Sequence, residues 1–519
     1  MSGLHRFPWV DDPHAGVKRF CDYTGPVRDR CDVVVVGSGP GGAVVAKALA
    51  EAGKSVVLLE EGQPWGVRDF KPDAGEAMLR TLREGGMRST RGNIFMPTMQ
   101  AICLGGGSLV NSAIAVRPPA WVFDSWAGEY GTHLLTGGSL DTHFAQVESF
   151  LGVIPTPTAV LGERNVAFKR GCDALGYQSE PCPRNAPGCK GSGECFSGCR
   201  NGGKTSTDIS YVPAAIRAGA RVYTSFRVDR VMHQGRRATG VSGKIVDPAK
   251  HTDVYDFEIQ ARFVVLAAGC MATPVILQRS GIGNENGLAG KHLKAHPGVA
   301  VLAVFPDRVD PWRGASQGYQ SLHFLRDGIK LEVLWSPPPI IATRFPGFGL
   351  EFKDQLATFD RSAPFDVIAD GHDSEGTVHA RPFGHDPDIQ YTLGEGDVNK
   401  LHKGLCILSD IAFAAGAEAV LPGLHGADAV LRGKADVDKL RRYKMKAQDP
   451  VIAGNHVFGS TRMGADPRTS VVDVDGRCHA TDNLYVADSG IIPASTAVNP
   501  MLTIMALANR LGGIVAARA

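Results

Sequence analysis

The run Cys31-Asp-Val-Val-Val-Val-Gly-Ser-Gly-Pro-Gly-Gly, followed by Val56-Val-Leu-Leu-Glu60, constrains this chain more than any other stretch. It reads as strand, glycine turn, helix, strand and terminal acid. Gly37 lets the chain turn sharply out of the apolar strand Val33 to Val36. Gly39 brings bare backbone close to a pyrophosphate, and Gly42 lets the next helix pack tightly on the strand. The phosphates are expected at that helix's N-terminus, beside Pro40, where unpaired amides and the positive dipole end favour anions. Glu60 stands roughly 20 residues beyond the first glycine, where a carboxylate accepts hydrogen bonds from both ribose hydroxyls. An acid there disfavours a 2′-phosphate, so FAD or NAD is expected rather than NADP.

A chain of 519 residues exceeds one core; its length favours roughly two to four domains. With 43% hydrophobic and 21% charged residues it has an ordinary globular composition. A net charge of +2 without a sustained Lys/Arg run gives no footprint for nucleic acid. Met1 to Asp12 shows no basic region followed by an apolar stretch, so no secretory signal is expected. No stretch reads as about 18 uncharged apolar residues, so no transmembrane segment is expected, and the cytoplasm is the default location. Eleven cysteines in a reducing compartment read as thiols or metal ligands rather than a disulfide framework. Nothing in the sequence sets the oligomeric state.

Further along, Leu104-Gly-Gly-Gly-Ser-Leu-Val-Asn111 is a second glycine turn, placed to run backbone against a ligand. Strand patterns follow at Arg221 to Val228, Ala238 to Val246 and Arg262 to Gly269. The last feeds a helix at Thr273 to Ser280, so the cofactor domain is discontinuous. Strand-like pieces at Val299 to Phe305, Ser321 to Leu325 and Lys330 to Trp335, with a helical stretch from Val398 to Gly416, form a middle block without a dinucleotide signature.

Val33 to Glu60, Leu104 to Asn111, Gly290-Lys-His-Leu-Lys-Ala-His-Pro297, His456-Val-Phe-Gly-Ser-Thr-Arg-Met-Gly464 and Asn483 to Arg510, in that order, resemble the glucose–methanol–choline family of FAD enzymes over nearly the whole chain. The second glycine turn is similar to the cholesterol oxidase branch. Asn185-Ala-Pro-Gly-Cys and Lys204-Thr-Ser-Thr-Asp are similar to long-chain alcohol oxidases. The resemblance implies an α/β fold: a discontinuous Rossmann-like FAD-binding domain with an inserted α+β substrate domain on an antiparallel sheet. The expected divisions are an irregular lead-in at 1–30, FAD-binding parts at 31–130, 206–300 and 451–519, a connecting segment with a cysteine-rich loop at 131–205, and the substrate domain at 301–450.

The same resemblance implies that Gly106, Gly107, Ser108 and Asn111 lie along the flavin, that Asp488 meets the ribityl–pyrophosphate region, and that Val228 and Ala268 belong to the cofactor site. Family members that bond FAD covalently do so through a histidine before the second glycine turn. Met99-Gln-Ala-Ile-Cys103 has none, so noncovalent FAD is expected. His292 and His296 are read as structural elements near the flavin.

The chemistry implied is oxidation of a hydrophobic alcohol, long-chain or alicyclic, by loss of the hydroxyl proton and transfer of a hydride to flavin N5. O₂ or an electron carrier is the final acceptor. His456 matches the base, since imidazole titrates near the operating pH without a large shift. Asn499 matches the residue that positions the substrate oxygen, although Asn499-Pro500 is also a plain helix start, with Asn at the N-cap. That helix, through Pro500 and Met501, would bring its positive end to the flavin. A non-redox alternative is also open: the family contains lyases that keep FAD as a scaffold and use histidine as acid–base.

Cys182, Cys189, Cys195 and Cys199 lie in a Gly/Pro-rich loop and resemble a segment that holds an iron–sulfur cluster in certain family dehydrogenases, with spacing one residue looser. Three readings stand there: a cluster wired to FAD, a structural zinc, or plain thiols with or without a disulfide.

Overall fold

The computed structural model describes residues 7–9, 12–334 and 337–519. Residues 1–6, 10 and 11, on which much of the leader reading rests, and Trp335 at the end of one expected strand lie outside them.

The apolar run Val33 to Val36 forms the end of β1 (Val27–Val36), entirely enclosed by neighbours. Alternation is absent because both faces of a parallel sheet are covered. Helix α1 (Pro40–Glu51) crosses over to β2 (Val56–Leu59), which pairs with β1 in parallel. On the other side β1 pairs in parallel with β3 (Thr252–Leu266). Among the described residues the sheet has eight strands. Val17–Lys18 and Arg221–Tyr223 extend the β2 edge, and an antiparallel meander, Phe226–Gln234 with Arg237–Asp247, extends the β3 side. Leu484–Val486 adds a further parallel partner to the end of β3. The lead-in is thus not wholly irregular: Val17–Lys18 joins the sheet, and β1 opens at Val27 rather than Cys31.

A second, seven-stranded sheet is antiparallel. Its longest strand is β4 (Lys294–Val304), paired with β6 (Ser362–Ala369), which in turn pairs with β5 (Ile329–Val333). The sheet reaches outside 301–450. It takes in Glu180–Pro181, β4 begins at Lys294, and β7 (Ala453–Phe458) pairs with β4 so that His296 faces His456 in register. The apolar pattern of β4 runs through position 301 unbroken, so composition gives no boundary there.

The C-terminal helix α2 (Met501–Arg518) is not an uncharged stretch, since it carries Arg510 and Arg518. It is long and apolar enough to cross a bilayer, with mean hydropathy 1.2, yet 56% of it is buried. Its apolar side lies against α1 and the helix Asp141–Leu151, which accounts for its composition as a core helix.

Candidate active site

The two glycine turns meet. A Cβ on Gly106, at φ +51°, would come within 2.8 Å of Gly39 Cα, and Gly105 N–H donates to Ser38 Oγ at 2.9 Å. Gly37, at φ +100°, lies under Ala267, whose carbonyl oxygen would be 2.2 Å from any added Cβ. Gly42 packs against the Gly37 carbonyl and the Ala267 side chain, the close helix–strand contact its position calls for.

These turns line a cavity of about 1440 Å³. Gly37, Gly39 and Pro40 form one wall, and Gly106, Gly107 and Asn111 another. Glu60, Val228, Ala268 and Asp488 border it further along, and His456, Asn499, Pro500 and Met501 close it from the C-terminal side. Ser108 turns its hydroxyl inside the turn, donating to Gly105 O at 2.7 Å and meeting Thr207 Oγ1 at 2.9 Å.

Bare backbone faces this space. A Cβ on Gly107 or Gly269 would meet nothing within 4 Å, and one on Gly39 only Gly106 Cα at 3.9 Å. The N-terminus of α1 has no side-chain cap, so its amides are available to an anion. Glu60 stands ready at the far end, its carboxylate accepting from Ser38 N–H (3.1 Å), Ser38 Oγ–H (2.6 Å) and Gly62 N–H (2.8 Å). Burial pushes that carboxyl up, against the pull of these three donors. Asp488 is likewise pushed up by burial while accepting from Gly269 N–H, Thr273 Oγ–H and Gly490 N–H. A cradle of this shape, with free amides at one helix end and an acid at the end of the second strand, fits FAD.

His456 and Asn499 come together from different parts of the fold, one on a strand of the antiparallel sheet and the other just ahead of helix α2. His456, on β7, meets Asn499 at 3.3 Å between Nε2 and Nδ2, across 43 residues of sequence. Asn499 is not the helix cap that its neighbour Pro500 suggests. The helix begins at Met501 with Pro500 as its flanking residue and no side-chain cap, and the Asn499 amide points into the site instead. Its Oδ1 accepts from Lys330 Nζ at 2.6 Å, and Lys330 also donates to Glu332 Oε2 at 2.6 Å. His296 stands edge-on to His456, ring centroids 5.5 Å apart, and is held by Ser495 Oγ at 2.8 Å; His292 instead meets Glu375 at 2.6 Å and does not line the cavity.

The imidazole of His456 departs from the expectation of a nearly unshifted base. Burial lowers its pKa to about 4, Glu332 opposing and Lys330 reinforcing the shift. The ring is therefore neutral at physiological pH, with a nitrogen free to accept.

Lys330, Glu332 and Gln317, which donates to Glu332 Oε1 at 3.0 Å, escaped the sequence reading. One signal was present: Lys330 and Glu332 are two apart in Ile329-Lys-Leu-Glu-Val, hence on one face of a strand. Gly41 also escaped that reading, although a Cβ there would lie 1.6 Å from the Ala487 carbonyl oxygen.

The cysteine loop bears on the three readings open for it. Among the described residues no group of three or more His, Cys, Asp or Glu side chains is placed to hold a metal, and every cysteine is a free thiol. Two buried cations take the centre of the loop. Arg184 reaches Cys195 Sγ at 3.1 Å and Cys189 Sγ at 3.8 Å, and Lys204 bonds the carbonyls of Leu109, Asn111 and Cys195. Cys182 lies apart in the core of the first sheet. Burial alone would push the Cys195 thiol up, but Arg184 and then Lys204 bring it below its usual value.

Comparison with known proteins agrees with this geometry. Residues 78–298 and 372–508 match the N- and C-terminal models of GMC oxidoreductases, and residues 32–100 match an FAD binding domain. An uncharacterized GMC-type oxidoreductase of Mycobacterium tuberculosis is 34% identical over 501 residues, covering 96% of this chain and 77% of that protein. A long-chain-alcohol oxidase of Arabidopsis thaliana is 27% identical over 529 residues, covering 95% and 69%. Among solved structures, pyridoxine 4-oxidase from Mesorbium loti superposes with TM-score 0.70 at 20% identity, covering 93% of this chain and 99% of that one. The chain belongs to the GMC oxidoreductase family and is an FAD-dependent oxidoreductase of CH–OH donors.

Proposed function

We propose that the protein oxidises a hydrophobic alcohol, long-chain or alicyclic, to the aldehyde or ketone, with noncovalently held FAD and with O₂ or an electron carrier as final acceptor. The observation that carries this reading is the His456–Asn499 pair on the wall of the dinucleotide cavity. Neutral His456 takes the hydroxyl proton at Nε2, and the Asn499 amide holds the substrate oxygen. FAD, when bound, supplies the hydride acceptor for the carbinol carbon. A base as weak as this one gains its proton only as the hydride departs, since an intact hydroxyl is far less acidic than its imidazolium. Met99, Ile114, Val457 and Ile504 among the lining side chains suit an apolar substrate, and the Arabidopsis relatives are named for long-chain alcohols.

The test is anaerobic addition of a panel of long-chain and alicyclic alcohols to the purified flavoprotein. Loss of the oxidised flavin's visible band is expected with hydrophobic members, slowed by about 10²–10⁴-fold in His456→Ala. Absence of bleaching with every alcohol overturns the reading, and turnover of a compound without bleaching would indicate a lyase.

A further inference from the structure

Lys330 carries a charge into the interior with only 1% of its surface exposed. Glu332, equally buried, neutralises it, as a buried ammonium requires. Yet one of its donors is directed elsewhere, to Asn499 Oδ1 at 2.6 Å. An ammonium can only donate, so the oxygen end of the Asn499 amide is the end that faces it. The nitrogen end is thereby turned toward His456 Nε2. That nitrogen too can only donate, so Nε2 is the acceptor and the neutral ring carries its proton on Nδ1.

We propose that Lys330 is a positioning residue for the alcohol oxidation, locking the Asn499 amide with its N–H side toward His456 and the substrate oxygen. The inference rests on the function proposed above. Substrate hydroxyl then takes the place of the direct Asn499–His456 contact, accepting from Nδ2 and donating to Nε2. With the amide turned over, its oxygen would face Nε2 and favour the ring tautomer protonated there, which has no lone pair at Nε2 for the hydroxyl proton. Glu332 serves by holding Lys330 in place, and Gln317 by holding Glu332.

Lys330→Met alone would strand the Glu332 carboxylate in the core, so Lys330→Met/Glu332→Gln, which removes both charges at similar volume, is the variant to use. Anaerobic bleaching by an alcohol that the wild type oxidises is measured for this pair of changes in the wild-type and Asn499→Ala backgrounds, with the flavin spectrum and melting temperature as checks. The expected result is bleaching about 10²-fold slower in the first background, and little further loss once Asn499 is Ala. Equal losses in both backgrounds, or no loss in the first, overturn the inference. Nitrogen NMR of the wild-type holoenzyme needs no variant to fold: His456 protonated on Nδ1 is expected, and protonation on Nε2 overturns it. If no alcohol bleaches the wild type, the oxidation itself falls, whereas bleaching that the substitutions leave untouched removes only the role of Lys330.

Discussion

The backbone oxygen of Ala487 lies 1.6 Å from where an ideal Cβ on Gly41 would stand, and Asp488 Cα lies 3.4 Å from it. The N-terminal nucleotide turn and the C-terminal segment carrying Asp488 are thus closed on each other at a contact with no room for a single methyl group.

Gly41→Ala is accordingly expected to cost about 3 kcal/mol, the upper part of the usual range for overpacking, and to yield protein depleted in flavin. Urea denaturation and the flavin-to-protein absorbance ratio measure both. Gly25→Ala, where an added Cβ meets nothing within 4 Å, is the matched control and should change neither.

The lowered pKa of His456 sets a pH dependence. A base held down to about 4 stays neutral and competent well below the range in which an ordinary imidazole is lost. The acid limb of kcat/KM is expected near pH 4, with activity nearly flat from pH 5.5 to 7; a midpoint close to 6.5 would contradict it. Stability carries the corresponding sign. The unfolded ring binds a proton that the folded ring refuses between about 6.5 and 4, so this residue makes the fold less stable as pH falls through that window.

Glu60→Gln replaces a carboxylate accepting three hydrogen bonds by an amide whose NH₂ must face one of the same donors. FAD affinity is expected to drop by about 1–3 kcal/mol, the scale of a hydrogen bond to a charged group lost in a buried place. Reconstitution of the apoprotein, followed by flavin fluorescence, reads this directly.

At the cysteine loop, Cys195→Ser withdraws the sulfur that Arg184 approaches at 3.1 Å and is expected to destabilise by about 1–3 kcal/mol in urea. Cys199→Ser, at a site less buried than Cys195, should cost less. Equal effects from the two would remove the Arg184 contact as the reason for the loop's shape.

How much of this was legible depended on how local the signal is. Gly37, Gly39 and Glu60 act within one strand–helix–strand unit, so the glycine spacing and the apolar runs placed them. His456 and Asn499 were reached through the family likeness, and no local pattern says that the Asn499 amide leaves the helix end to meet an imidazole; its partners, His456 and Lys330, stand on strands far away in the chain. Ser108 shows the converse, a residue correctly placed on its turn whose hydroxyl direction depends on Thr207. At the cysteines three readings stay open in the sequence, because spacing says nothing of Arg184 and Lys204, which reach the sulfur and the carbonyl of Cys195.

His456 rides on a strand of the antiparallel sheet, whereas Asn499 leads into the helix packed against the nucleotide fold. The 3.3 Å contact between them is therefore a gauge of how the two layers mate: a slight slide of one over the other would part the imidazole from the amide while each core stays whole.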